Sequence, residues 1–477
     1  MGLGIWLWII TLAFCGAFLV ISLLVRRKAT SSYADYLIGG ATFPFFLIFF
    51  TQFATIMGVG NFVGHASKGY ELGLPHLVFI LGEQGSKIIF ALVFAGLAGR
   101  LSYKTLSELI DDLLVRDKVT RLLVGLIAMS IMIAWVGGQG KGFGALFKTI
   151  TGANEIAIIL FFSAVFIVYT TLGGIYSVAW TDLFQGILVF IFATVFYLAA
   201  FSYVDFSFGT LGAKLAEVGK GELWSFRHVD FISLVTRFVT GVIGILVAQI
   251  YWQRCFAAKS GRTARNGLLY SGIIAIIMVM LTAMVGMIIL TLNPNLQPGE
   301  AMAWFLQSKV PVFVGAVIFA LILAAGMSSA DSNLNSAAAL FVNDVILPFK
   351  KEASDKSLVR LSIIVTAVIG VFAALAAMWA ESIIGLFSRA YSLAGGAIVP
   401  LLLVGLIWKK RPGEKFTMGT KNSNVTPWGA RVGIVSGGVL TQIPALGPNR
   451  VLIALVVSAV LVIVVSLATR KTEKAAA

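Results

Sequence analysis

The stretch Gly326-Met327-Ser328-Ser329-Ala330-Asp331-Ser332-Asn333-Leu334-Asn335-Ser336 gathers hydroxyls, amides and a carboxylate inside an otherwise apolar run. Ala325, Ser328, Ser329 and Ser332 recur at i, i+3, i+4 and i+7, the spacing of one helix face, with Asp331 and Asn335 alongside. Such a face suits a hard cation such as sodium, which prefers several oxygen ligands. Serines alone would fit small-residue helix packing, bonded back to their own backbone, equally well. The carboxylate in the same two turns favours the cation. Other ionisable groups in apolar surroundings are Asp182, Glu83, Lys87, Lys141, Arg237 and Arg389. Each costs at least ~2.5–3.5 kcal/mol in hydrocarbon, so each needs a partner or a task. Glu83 and Lys87, four apart, are expected to pair on one helix face.

Two apolar runs carry glycines where a helix should continue. One reads Phe53-Ala54-Thr55-Ile56-Met57-Gly58-Val59-Gly60-Asn61-Phe62-Val63-Gly64; the other holds Gly241 and Gly244 before Gln249-Ile250-Tyr251-Trp252-Gln253-Arg254. Unwound backbone at membrane depth is tolerated where it lines a cavity or is buried in protein. A solute pocket is therefore expected around Gly60, Asn61, Phe62, Gln249 and Trp252, with ordinary glycine packing as the alternative. Nothing suggests an enzyme: His65, His76 and His228 are scattered, Cys15 and Cys255 form no metal or disulfide spacing, and no phosphate loop or nucleophile constellation occurs. No organic cofactor and no nucleic-acid partner is expected.

The elements that position these residues are membrane spans. The 477 residues are 59% hydrophobic and 12% charged, with mean hydropathy +0.95; a soluble protein carries about twice that charged fraction. Spans of ~20 apolar residues can be drawn about 13 times, at 3–25, 43–66, 74–98, 121–149, 154–174, 177–203, 230–253, 265–293, 311–340, 358–380, 382–408, 427–443 and 449–468. The first is too long for a signal-peptide core and is expected to stay in the mature protein. The formal charge of +15 sits in alternate loops: Arg26–Lys28, Arg100/Lys104/Arg116/Lys118, Arg254/Lys259/Arg262/Arg265, Lys350/Lys351/Lys356/Arg360, Lys409–Arg411 and Arg470/Lys471/Lys474. Positive loops face the cytoplasm, which predicts an N-terminus outside and a C-terminus inside. The chain reads as an all-α polytopic membrane protein forming one membrane domain in the lipid bilayer of the cell. The two interrupted spans are five apart, the relation of the first helices of two inverted five-helix repeats, and such a pair points to a transporter's binding site.

Several separated motifs resemble the sodium/solute symporter family over roughly residues 35–410. They are Gly173-Gly174-Ile175-Tyr176-Ser177-Val178-Ala179-Trp180-Thr181-Asp182 with Gln185, then Gln253-Arg254 with Ala257-Ala258-Lys259-Ser260, then Met327-Ser328-Ser329. The resemblance implies a LeuT-like core: a leading helix (1–30), a first repeat (38–204), a second, inverted repeat (228–410), each opening with a broken helix, and two trailing helices with a tail (411–477). It also implies a principal sodium site built from the carbonyls of Ala54, Met57 and Ala325 and the hydroxyls of Ser328 and Ser329. Some members hold a second sodium, which would fall on Asp182, Ser328, Asp331 and Ser332. The Ser-Ser-Ala-Asp-Ser run and Trp135 are nearest to the high-affinity choline branch, but its other two aromatic cage positions align with Ile56 and Ala248, and a quaternary ammonium needs ring faces around it.

The expected function is sodium-coupled symport of a small organic solute (an amino acid, an amine or other organic cation, or a small organic acid) by alternating access. The alternative is proton coupling through Asp182 and Asp331, since a carboxylate in a low-dielectric site can carry a proton.

Overall fold

The computed structural model describes residues 2–29, 32, 33, 36, 41–101, 103–350 and 354–476. Lys351, and the side chains of the basic clusters at 26–28 and 471–474 and of residues 173, 176 and 177, lie outside that description.

The described residues form helices joined by turns and loops, with one isolated backbone bridge between Phe43 and Ala258. Eleven helices are long and apolar enough to cross a membrane, and a bent pair makes a twelfth span. In chain order they are α1 (Leu3–Ala29), the pair α2 (Phe45–Ile56) and α3 (His65–Leu72), α4 (Pro75–Val93), α5 (Lys118–Thr151), α6 (Glu155–Leu172), α7 (Val178–Val204), α8 (Phe231–Val247) continued by α9 (Gln249–Ala257), α10 (Gly261–Leu292), α11 (Val312–Leu340), α12 (Asp355–Trp379) and α13 (Ile383–Ile407). The last span is α15 (Arg450–Ala476). The chain is an integral membrane protein.

The expected span at 427–443 is shorter than its apolar pattern suggests. Its helix, α14 (Pro427–Leu440), has 14 residues, about 21 Å at 1.5 Å per residue, against a hydrocarbon core of ~30 Å. Pro427 starts it and Pro444 opens a separate turn soon after its end. Gly437 lies against the carbonyl of Gly396 on α13, and Gly433 against Val462 and Ser458 on α15, so α14 is a closely packed short helix.

Side-chain caps fix several helix starts: Asp117 accepts from Thr120 N at 2.9 Å before α5, and Asn154 Oδ1 from Ala157 N at 3.1 Å before α6, each satisfying one orphan amide. Between α6 and α7 the chain turns at Gly174, whose φ of +49° favours glycine. The core positions α11, which is buried from Phe319 through Leu340 and packs along α6, α7, α5 and the broken pair. Around it α4 lies on α8, and α10 on α3 and α4. At the α3–α10 crossing a Cβ on Gly69 would strike the carbonyl of Ala283, and one on Gly286 the carbonyl of Ala66. Two glycines thus let two backbones touch, as small residues do in membrane interfaces.

Both expected interruptions exist. Between α2 and α3 the axis bends by 48°: Met57 leaves helical geometry (φ −81°, ψ 48°) and Gly60–Gly64 rewinds as a π-turn. Between α8 and α9 the break falls at Ala248 (φ −71°, ψ 116°), beyond the glycines. Gly241 and Gly244 instead permit close packing, on the Phe79 carbonyl and Glu83 amide and on the Tyr391 ring respectively.

Candidate functional site

The bend in α2–α3 frees backbone groups that α11 and α5 then satisfy. Gly58 N donates to Ile56 O at 2.9 Å, in place of the helical acceptor Ala54 O. Ser329 Oγ donates to Thr55 O at 2.7 Å, and Val59 N donates to Gln139 Oε1 at 2.7 Å. A Cβ on Gly58 would collide with both side chains, so glycine is required by close approach. The expected principal-site residues Ala54, Met57 and Ser329 therefore meet at one junction, all buried. Ala325 lies one turn before Ser329 on α11, whose helix is continuous there. Tyr169 OH donates to the neighbouring Met327 O at 2.6 Å. Carbonyl and hydroxyl oxygens dominate, and among the described residues no three His, Cys, Asp or Glu are arranged to hold a metal ion; this donor chemistry fits sodium and not a transition metal.

Ser328 points away from that junction. Its hydroxyl donates to Asp182 Oδ1, while Asp182 Oδ2 accepts from Thr51 and, at 3.3 Å, from Ser332. Arg254 of α9 reaches into the same cluster. Its Nη2 donates to Thr55 Oγ1 at 2.5 Å and Ser332 Oγ at 2.8 Å and lies 3.5 Å from Asp182 Oδ2. Asp331 stands apart: Oδ1 accepts from Ser332 N at 2.6 Å, and Oδ2 is buried with no donor in place. Of the expected second-site residues, Asp182, Ser328 and Ser332 share one network, and Asp331 faces another way.

A cavity of about 30 Å³ adjoins the junction, room for one or two waters in this conformation. Thr55, Gly58 and Ser329 are common to both. Gly60, Asn61 and Trp135 line it as expected, with Ile56, Tyr251, Phe387 and Tyr391 as further apolar and ring walls. Phe62, Gln249 and Trp252 do not line it. Phe62 packs edge-on to Phe196. Gln249 clamps the 104–106 backbone, accepting from Leu106 N at 3.0 Å and donating to Lys104 O at 2.9 Å. Trp252 Nε1 donates to Leu246 O at 2.9 Å and so caps the end of α8. Gln249 and Trp252 thus hold the second break.

The expected Glu83–Lys87 pair is replaced by a longer chain. Glu83 Oε1 accepts from Tyr391 OH at 2.6 Å, Oε2 meets His65 Nε2 at 3.1 Å and accepts from Gln84 Nε2 at 2.8 Å. His65 Nδ1 lies 2.9 Å from His76 Nε2, and Trp135 Nε1 donates to Tyr391 OH at 2.8 Å. Lys87 Nζ donates to Gln84 Oε1 and sits 5.9 Å from the Tyr251 ring centroid. Partners from α3 and α13 thus claim Glu83 before its own helix neighbour does. The sequence flags Glu83 and Lys87 as costly, but gives no sign that His65 and His76 join them. Thr51 and Gln139 carry no such signal either, being ordinary polar residues in apolar runs.

Against this geometry, the sodium:solute symporter family profile matches residues 36–414. The chain belongs to the sodium:solute symporter family. It is similar to the sodium/pantothenate symporter of Haemophilus influenzae, 26% identical over 81% of this chain and 82% of that one. It is likewise 26% identical to the high-affinity choline transporter 1 of Drosophila melanogaster, over 82% of this chain and 65% of that one. Among solved structures, a Na+-coupled sialic acid symporter in a substrate-bound, outward-open state superposes with TM-score 0.80 at 20% identity, covering 97% of both chains. The fold is LeuT-like, two inverted five-helix repeats, each with a broken first helix.

Proposed function

We propose that this protein imports a small organic solute with sodium, by alternating access about the α2–α3 break, with its N-terminus outside and its C-terminus in the cytoplasm. The repeat boundaries at 38–204 and 228–410 and the trailing region 411–477 belong to the same proposal. The observation that carries it is the shared wall: Thr55, Gly58 and Ser329 border the solute cavity and also form the oxygen-lined junction. A sodium ion held by Ala54, Met57, Ala325, Ser328 and Ser329 would brace α2 against α11 and so shape the cavity beside it. For Ser328 this requires its hydroxyl to leave Asp182. Each sodium moving inward is worth ~2.3 kcal/mol per 100 mV, enough for about 50-fold solute accumulation.

The test is thermal unfolding in sodium against equimolar potassium, since a ligand of the folded state raises its stability. A sodium-specific rise that Ser329→Ala weakens about tenfold in apparent affinity supports the reading. An equal response to both ions sinks it.

The second reading is proton coupling through Asp182 and Asp331, favoured by the donor-free Asp331 Oδ2. Uptake into proteoliposomes driven by a pH jump without sodium would establish it.

A further inference from the structure

We propose that the solute is a small carboxylate bearing a hydrogen-bond donor near its carboxyl group, and that Lys87 reads its charge. This deepens the symporter reading and rests on the same cavity. Lys87 is buried on α4 at the cavity wall, and among the described residues its ammonium has one hydrogen-bond partner, Gln84 Oε1. An ammonium offers three donors. Glu83 does not complete the set: its oxygens meet Tyr391, His65 and Gln84, and none bonds to Lys87. A buried cation with unfilled donors is costly. An anionic acceptor entering the cavity removes that cost through charge-assisted hydrogen bonds.

The opposite wall supplies the complement. Asn333 of α11 donates through Nδ2 to Ser329 O at 2.6 Å, while its Oδ1 is buried with no donor. That oxygen accepts an N–H or O–H from the solute. A hydroxy or amino acid with a compact body against Trp135 and Phe387 meets both demands. A quaternary ammonium does not: it offers Lys87 no acceptor, and Lys87 already takes the Tyr251 ring. A neutral polyol offers that ammonium no charge-assisted acceptor. The binding of an anion beside sodium also keeps the summed charge of the loaded site unchanged.

The experiment is thermal unfolding of the purified full chain in sodium, with lactate, L-proline, L-phenylalanine and pantothenate, each beside its carboxamide, and with choline and glucose. The expected result is a shift by at least one acid and by no matching amide. In Lys87→Gln that acid should bind about 10- to 100-fold more weakly, the loss of a charge-assisted hydrogen bond, with the sodium-only shift unchanged. Lys87→Arg keeps the charge and should retain the preference for acid over amide. If Lys87→Gln does not fold, the acid-against-amide comparison on the wild type and on Lys87→Arg still decides. A shift by choline or glucose, equal shifts by acid and amide, or no shift by any acid overturns the proposal. A sodium shift accompanied by any of these leaves the symporter reading standing, whereas loss of the sodium shift itself strikes that reading.

Discussion

Arg254 stands 3.5 Å from the Asp182 carboxylate, with its Nη2 among the hydroxyls of Thr51, Thr55 and Ser332. A cation carried by the protein therefore already sits beside Asp182 and Ser332, two of the four residues expected to hold a second sodium. The expected stoichiometry is one sodium per solute. The Hill slope of sodium-dependent uptake should lie near one; a slope near two would assign a second ion to this cluster.

The same pair makes a stability prediction. Arg254 and Asp182 are both buried, and removing one partner leaves the other as an uncompensated charge. Arg254→Gln alone should cost about 3–5 kcal/mol, and adding Asp182→Asn should recover part of it. Unfolding of the two singles and the double mutant gives the answer: a double mutant that is simply additive means the residues do not interact.

At the α3–α10 crossing the reciprocal glycines leave no room for a side chain. Gly286→Val should destabilise by about 1–3 kcal/mol through overpacking, while Gly299→Ala, with open space around its would-be Cβ, should change nothing measurable. Paired thermal melts compare them.

Gln249 clamps the backbone at Lys104 and Leu106 from outside the cavity. Gln249→Ala should lower transport while leaving sodium and solute affinity in detergent unchanged. Asn333→Ala should do the reverse and weaken solute binding. Uptake rates set beside equilibrium binding separate the two effects.

Outside the spans, burial alone would raise the Asp117 carboxyl, but the hydrogen bonds from Arg431 (2.7 and 2.9 Å) and Thr120 outweigh it and hold it at about 2. A depressed carboxyl contributes stability above its unfolded value of 3.8, and that contribution is lost as pH falls through about 2. The pair is part-buried and still reached by solvent, so the gain over Asp117→Asn is below about 1 kcal/mol. It should be constant from neutral pH to about 4 and shrink below that, as read from unfolding at each pH.

Much of this molecule is written in local pattern. The spans follow from apolar runs of sufficient length, and the oxygen-rich face of α11 follows from helical spacing, because neither depends on distant residues. The break in α2–α3 is equally local, since Gly58 and Gly60 interrupt the helix where they stand. Where distant helices compete, pattern failed. Glu83 has Lys87 one turn away, yet Tyr391 and His65 take its oxygens from other helices. Gly241 and Gly244 resemble a helix break but serve packing, and the chain opens at Ala248, where Gln249 and Trp252 can satisfy freed backbone elsewhere. Gln249 and Trp252 have the chemistry of a binding site but are turned to that task. The sequence by itself determined the membrane class, the spans and the oxygen-bearing face, since hydropathy and helical period act over neighbours. Only the tertiary structure decided which polar groups are consumed by one another and which, like Lys87 and the Asn333 carbonyl, are left facing the cavity, because hydrogen-bond partners are allotted across helices far apart in the chain.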